Sequence, residues 1–503
     1  MDKQGERPVR RLPALAVLLA CTSLLTPASP LAQTSYPAGS ATTGASPAQT
    51  SATGSAVPLG TSLAAAPLAP PAPGIPATDP AASASDAPSL ATGAIPQPAT
   101  PGPSEEDLFL AYEEDLDAGV DAVEPGEPPL VPADPTGIRL GTFMLRPSVG
   151  TSVNRETIRN GDLKTERDYL ATVVRGTLTS DWARHELAII GEGTFERDIG
   201  GRDDFEPEGR VDGILRLDLA DETIANITAG YGFEREDNDD PNAIGGASVQ
   251  SGVHQYDGGL SLERSAGLIH GLAGIGVRRE VYSDAELQDG SSLDLGDRNR
   301  TVVDGRLRLG YELSPALIPF VEVGGGRSLY DDRYDSAGYE RSSWRYAARA
   351  GVEFDLGEKL RGELAAGYRH ADYDDARLED LGGVTFDGRT VWSPRRGTDV
   401  ELALRTTLQD ATAPGASGWT EYDLAAVVTQ QLRHRLVGRL VGGTVFRDFP
   451  EGDNETTWLA GAGLAWAINP YLDLTGDLEY EHTLRTGGDT STWRAGMGLT
   501  LRR

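Results

Sequence analysis

Guanidinium and carboxylate groups recur at every second residue along several stretches of this chain. Within residues 303–313, Asp304, Arg306, Arg308 and Glu312 share one parity, while Val303, Leu307, Leu309, Tyr311 and Leu313 share the other. Arg345, Arg349, Glu353 and Asp355 repeat the arrangement, then Arg361, Glu363 and Arg369, and later Asp473, Asp477, Glu479 and Glu481. Extended backbone points successive side chains to opposite faces, so each stretch has one charged and one apolar face. The chemistry open to such ladders is ionic. Facing water, they attract ions of one sign and repel the other. Facing each other, they pair as salt bridges. Both outcomes stay open at this level.

No covalent chemistry competes with that reading. The six histidines, His185, His254, His270, His370, His434 and His482, are scattered singly, with no His-x-x-x-His pair and no serine in a nucleophile motif. His370 with Asp372 and Asp374 imitates a rim site, but a solvated loop junction is the better explanation. Asp237-Asn238-Asp239-Asp240 lacks the glycine and distal glutamate of a calcium loop. Gly324-Gly325-Gly326 lacks the lysine and hydroxyl residue of a phosphate loop and sits in a strand pattern, so close packing of a sheet is the expectation. We therefore expect no catalytic residues, no metal and no cofactor.

The elements that must position the ladders are strands. From about residue 139 to the end, alternating segments follow one another, each about 14 to 17 residues long. Soluble strands usually have about five or six residues; a tilted membrane strand needs about 9 to 11 in hydrocarbon and extends beyond it. Eighteen segments can be marked, with sixteen the alternative if two outer ones are misread. Short joins such as Ser180-Asp181-Trp182, Leu356-Gly357-Glu358 and Ile468-Asn469-Pro470 alternate with longer acidic ones, such as 237–247 and 284–297. Segment 385–393 has the poorest pattern. Only the parity of turns requires it, since without it Gln431-Leu432-Arg433-His434 would fall among the long loops. Aromatics recur near segment ends at Trp344, Tyr346, Tyr368, Trp458, Trp466, Tyr471, Tyr480 and Trp493, as in interfacial girdles.

Composition bounds the setting. Of 503 residues only 39% are hydrophobic, and no run of 18 apolar residues follows the N-terminus, which excludes an α-helical membrane protein. A membrane barrel survives that test, because only alternate strand residues meet lipid. Arginine facing lipid at midplane costs roughly 2 to 4 kcal/mol, so the charged faces must look inward. A closed cylinder also satisfies every backbone hydrogen bond. The net charge of -31 argues against a nucleic-acid partner.

Ahead of the strands the chain changes character three times. Residues 1–32 read as an export signal, with Arg7, Arg10 and Arg11 before an apolar stretch from Leu12 to Leu25. Cys21, after Leu18-Leu19-Ala20, resembles a lipidation box. Residues 33–103 are an Ala/Pro/Ser-rich linker whose only charges are Asp79 and Asp86, a composition that stays disordered. Residues 104–138 carry eleven acids and no basic residue. There Ser104 can cap a short helix with Leu108, Tyr112 and Leu116 on one face, a plug or a docking peptide for a periplasmic partner, or else a transient helix in an acidic tail.

The export signal, the Pro/Ala-rich leader, the strand end Val445-Phe446-Arg447-Asp448-Phe449-Pro450, the turn Ala467-Ile468-Asn469-Pro470-Tyr471-Leu472 and the last strand Trp493 to Leu501 give the chain a resemblance. Over residues 139–503 it resembles the Putative beta-barrel porin 2 family. That resemblance implies an all-β transmembrane antiparallel up-and-down barrel in the Gram-negative outer membrane, surrounded by lipid and lipopolysaccharide and folded by the barrel assembly machinery. It implies a porin-like channel for small hydrophilic solutes or for polysaccharide export, with a non-conducting surface barrel as the alternative. One departure is the end Leu499-Thr500-Leu501-Arg502-Arg503, which lacks the terminal aromatic common in such barrels. In the channel reading, Asp304, Arg306, Arg308, Glu312, Arg345, Arg349, Glu353, Arg361, Glu363, Arg369, Asp473, Asp477 and Glu479 line the lumen.

Overall fold

A computed structural model describes residues 137–199, 205–220, 222–236, 241–245, 247–450 and 452–503. The expected signal, the linker, the acidic helix, Cys21 and the acidic run Asp237–Asp240 lie outside the described residues. Eighteen long strands follow: β1 (Phe143–Asn160), β2 (Leu163–Ser180), β3 (His185–Asp198), β4 (Phe205–Asp218), β5 (Thr223–Arg235), β6 (Gly252–Ala266), β7 (Ile269–Tyr282), β8 (Arg300–Tyr311) and β9 (Leu317–Tyr330). The second half comprises β10 (Ser343–Asp355), β11 (Leu360–Tyr373), β12 (Leu381–Arg395), β13 (Thr398–Asp410), β14 (Gly418–Arg433), β15 (Leu436–Asp448), β16 (Glu455–Asn469), β17 (Leu472–Leu484) and β18 (Thr490–Arg502). The weakly patterned segment 385–393 is thus a full strand, β12, longer at both ends than its sequence pattern indicates.

Each strand pairs antiparallel with its neighbours in sequence, and β18 pairs with β1 from Ser148↔Arg502 to Asn160↔Thr490. The sheet therefore closes on itself end to end. A three-residue strand, Ile138–Leu140, folds back on the start of β1. Short strands in the loops after β5 and β7 form a separate small sheet. The joins at one end are brief, such as 267–268, 396–397 and 434–435, while the other end carries 236–251, 283–299 and 331–342. The asymmetry is not strict, since β1 and β2 meet through a two-residue turn at the long-loop end.

Burial follows the alternation. On β8, Leu307, Leu309 and Tyr311 are exposed on the outside, whereas Arg306 and Arg308 are buried inside. A water-soluble sheet would show the reverse. The outward aromatics form two bands. Trp344, Tyr346, Tyr368, Trp458 and Trp493 lie toward the long loops; Tyr311, Trp392, Trp466 and Tyr471 lie toward the short turns. Tyr480 is less exposed because it stacks against Trp493, ring centroids 4.6 Å apart. The triglycine lies in β9 as expected. At Gly326 a Cβ would sit 2.8 Å from the Val303 carbonyl of β8, so the close approach of the two strands requires glycine.

One seam departs from this regularity. β12 pairs with β13 only from Gly388↔Leu404 to Arg395↔Thr398. Beyond Gly388 toward the long loops, β12 keeps its other partner as far as Ala371↔Leu381, and β13 stays with β14 as far as Asp410↔Gly418. The wall splits between them.

Candidate functional site

All thirteen ladder residues singled out from sequence carry the inward parity of their strands. Between β8 and β12 they meet as one network. The Arg308 guanidinium donates to Glu322 at 2.8 Å, to Glu353 at 2.8 Å and to Glu363 at 2.8 Å. It also stacks 3.9 Å from the Phe320 ring centroid. Arg306 lies 3.7 Å from Glu322, and Arg349 donates to Glu322 at 2.8 Å. Asp387 stands 3.5 Å from both Arg349 and Arg369. Glu312, at the short-turn end, lies 3.3 Å from His270. Arg361 is exposed near the same end. Charges this deep persist because they are paired and hydrogen-bonded.

β17 stands nine strands from β8 in a ring of eighteen, so the two face each other across the barrel. Its inner face carries Asp473, Asp477, Glu479 and Glu481. Arg494 of β18 serves several of these acids at once, with Glu156 at 2.8 Å, Glu479 at 2.9 Å and Glu481 at 3.2 Å. Asp473 is 3.3 Å from Arg502. Among the inward-parity residues of β17, β18 and β1, these four acids and Glu156 outnumber the guanidiniums Arg146, Arg494 and Arg502. This wall is acid-rich; the wall from β8 to β11 is close to balanced.

At the long-loop end the interior narrows. Thr406, Leu408 and Asp410 carry the outward parity of β13, yet Thr406 and Asp410 are buried. Leu408 packs on the cluster of Ala371, Tyr373, Leu378 and Leu381, in which Ala371, Tyr373 and Leu381 are inward residues of β11 and β12. The outer end of β13 has therefore left β12 and lies against its inner face, while β14 stays paired with β15 from Thr420↔Asp448 onward. Trp419, Thr420 and Glu421 are buried accordingly. The gap is bridged by side chains. Tyr422 of β14 donates its hydroxyl to the Val384 carbonyl of β12 at 3.2 Å, and the Phe386 amide donates to Thr406 Oγ1 at 2.9 Å. The chain returns through Gly418 at φ +134°, where a Cβ would lie 2.0 Å from the Gln409 carbonyl, so no other residue fits.

Four loops gather around this hairpin. Asn242, after β5, donates to the Asp410 carbonyl at 3.3 Å and accepts from the Thr412 amide at 2.7 Å. Arg298 joins Glu236 at 3.0 Å and the Asn242 carbonyl at 3.2 Å. Arg341 donates to the carbonyls of Thr412 at 3.1 Å and Asp297 at 2.8 Å, while Asp335 accepts from the Gly415 amide at 2.9 Å. The loop after β11 joins through Asp375, which accepts from the Glu340 amide at 3.1 Å. Loops rooted eight strands apart thus interlock across the mouth. In the same region, hydrogen bonds from Arg377 hold the Asp375 carboxyl well below the usual carboxylate range, and Arg279 lowers that of Asp331.

His370 and Asp372 carry outward parity on β11, and Asp374 is held by Arg327 at 2.8 Å, so the three do not assemble a reactive site. Sequence reasoning missed Glu322, Asp387, Asp410, Glu156, Arg300, Tyr373 and Arg494. Glu322 was legible as an isolated acid between Phe320 and Gly324 on the inward parity. Asp410 was not, because its parity points the wrong way.

Several solved structures align with this chain. The outer membrane protein OpdK from Pseudomonas aeruginosa aligns with 10% identity over 71% of this chain and 99% of that one, with a TM-score of 0.38. OccAB4 of Acinetobacter baumannii aligns with 10% identity over 71% and 98%, also at 0.38, and OccK2 of Pseudomonas aeruginosa with 11% identity over 71% and 98%, at 0.38. No curated protein matches the chain. Residues 131–503 match the model of the Putative beta-barrel porin 2 family, and the chain belongs to that family, a porin-like β-barrel of the Gram-negative outer membrane.

Proposed function

We propose that the barrel conducts small hydrophilic solutes passively, through an interior lined by its ion-paired ladders. The observation that carries this reading is the inner face itself. Thirteen ionisable side chains carry the inward parity of their strands, and ten of them stand in ion pairs rather than being replaced by apolar filler. A barrel built only for stability gains little from buried pairs, which often cost as much desolvation as they return. A water-filled path gives them a use, because fixed charges of both signs orient a dipolar solute and strip little of its hydration.

Polysaccharide export through an arginine-lined lumen is the weaker reading. Arg306, Arg308, Arg345, Arg349 and Arg369 are each engaged by carboxylates, and the facing wall is acid-rich. A polyanion would meet repulsion there. The interlocked loops favour a second reading, a barrel closed at its mouth whose loops serve surface interaction. Liposome swelling separates the three. The channel reading expects entry of glycine and arabinose and exclusion of a trisaccharide; a closed barrel admits none, and an exporter admits all three.

A further inference from the structure

Asp410 sits in surroundings built for a carboxylate, although its own strand would have pointed it outward. Its Oδ2 accepts from Arg300 of β8 and from Arg345 of β10, the latter at 2.5 Å. Its Oδ1 accepts from the Tyr373 hydroxyl of β11 at 2.9 Å. The three donors belong to the stationary wall, where β8 to β11 keep their ladders. The acceptor belongs to the outer end of β13, which has parted from β12. Five strand positions separate β8 from β13, roughly 24 Å along a round wall at about 4.8 Å per strand. That span exceeds the reach of an Arg–Asp pair, so the contact exists only because the hairpin is folded in.

We propose that Arg300, Arg345 and Tyr373 form a carboxylate-binding site for permeating solutes, and that Asp410 occupies it as an internal substitute when no solute is present. The inference rests on the channel reading above and names its solute class. Planar two-oxygen geometry is what the donors match: both guanidiniums on one oxygen, the phenol on the other. Glu280 also engages Arg300 at 2.8 Å, and a solute with one carboxylate replaces the single charge that Asp410 supplies. A monocarboxylate therefore fits better than a dianion. When a solute carboxylate displaces Asp410, the hairpin loses its polar anchor. The Tyr373 hydroxyl, which also lies against the Ser417 carbonyl, has an alternative acceptor while exchange proceeds. Leu408 and Tyr422 remain as weaker ties, so the release is reversible.

The test uses the full chain in planar bilayers, with folding checked by heat-modifiable gel mobility. Potassium acetate replaces potassium chloride at constant ionic strength, with potassium dihydrogen phosphate as the dianion-forming comparison. The wild type is expected to lengthen its open dwell time at least threefold in acetate and less in phosphate. Asp410→Asn is expected to be open already and indifferent to acetate as an opener, while acetate now blocks its current. Arg345→Gln is expected to lose the acetate response. Should that variant fail to fold, Tyr373→Phe removes one donor without a change of charge and is expected to raise the half-effective acetate concentration several-fold. Wild-type currents indifferent to acetate, or an acetate response unchanged in Arg345→Gln or Tyr373→Phe, overturn this inference alone. Absence of current from every variant overturns the channel reading and this inference together.

Discussion

Two seams of the barrel invite comparison. The seam between β18 and β1 joins segments more than three hundred residues apart, yet its ladder runs unbroken through thirteen residue pairs from Asn160↔Thr490 to Ser148↔Arg502. The seam between β12 and β13 joins strands separated only by Arg396 and Gly397, yet it opens halfway. Proximity in sequence therefore does not decide which ladder holds. Alternation does. At the intact seam Thr492, Arg494 and Thr500 point inward while Trp493, Met497, Leu499 and Leu501 meet lipid. At the open one, the outward parity of β13 runs Leu402, Leu404, Thr406, Leu408, Asp410, and from Thr406 onward it is no longer fit for hydrocarbon. Moving that end inside buries Leu408 against Leu381 and gives Asp410 two guanidiniums. Register holds where one face must be apolar and weakens where it need not be.

The intact seam is the costlier of the two to disturb. Arg494→Ala leaves Glu156 and Glu479 without their shared cation in a buried site, and we expect a loss of about 3 to 5 kcal/mol, read from urea unfolding in lipid vesicles. Next in size, Leu499→Arg places a charge on the lipid face and should cost about 2 to 4 kcal/mol in the same assay. The split itself is sharpened by nitroxide labels at Leu402 and Leu408, which share parity. The label at Leu402 should be relaxed by membrane-dissolved oxygen, and the label at Leu408 should be shielded from it; equal oxygen accessibility would return β13 to the wall. Tyr422→Phe deletes the one hydroxyl that spans the gap from β14 to β12 and should cost about 1 kcal/mol, with faster amide exchange near Val384 as its local signature.

The smallest effect concerns pH. Asp375 and Asp331 ionise more readily in the folded protein than in the unfolded chain, owing to Arg377 and Arg279. Their contribution is present above the unfolded carboxylate value near about 4 and is lost as pH falls through the depressed folded values. Loops 374–380 and 331–342 should therefore resist protease at pH 7 and become more susceptible below about pH 3, with the strands unaffected.

Most of the barrel was legible because period-two alternation is a strong constraint wherever one face meets hydrocarbon. The inward placement of Arg306, Arg345 or Glu479 follows from their neighbours Leu307, Trp344 and Leu478 alone. The strand count followed from turn parity, which also required β12 despite its poor pattern. That poor pattern had a physical cause. Gly382, Gly383 and Thr385 lie where β12 has lost its β13 neighbour and gained the hairpin on its inner face. Which inward charges pair could not be read, since Arg308 reaches Glu363 three strands away, and curvature of the wall decides that. Asp410 was hidden for the same reason: its role depends on a strand breaking the rule that made every other position readable.

A conducting barrel narrowed by the inward end of β13 is tested most directly by ion current. Replacing residues 408–420 with Asn-Gly joins β13 to β14 without the inward segment. Single-channel conductance of the trimmed protein should exceed that of the intact chain several-fold in the same salt. Equal conductance from the two proteins, or no current from either, would contradict it.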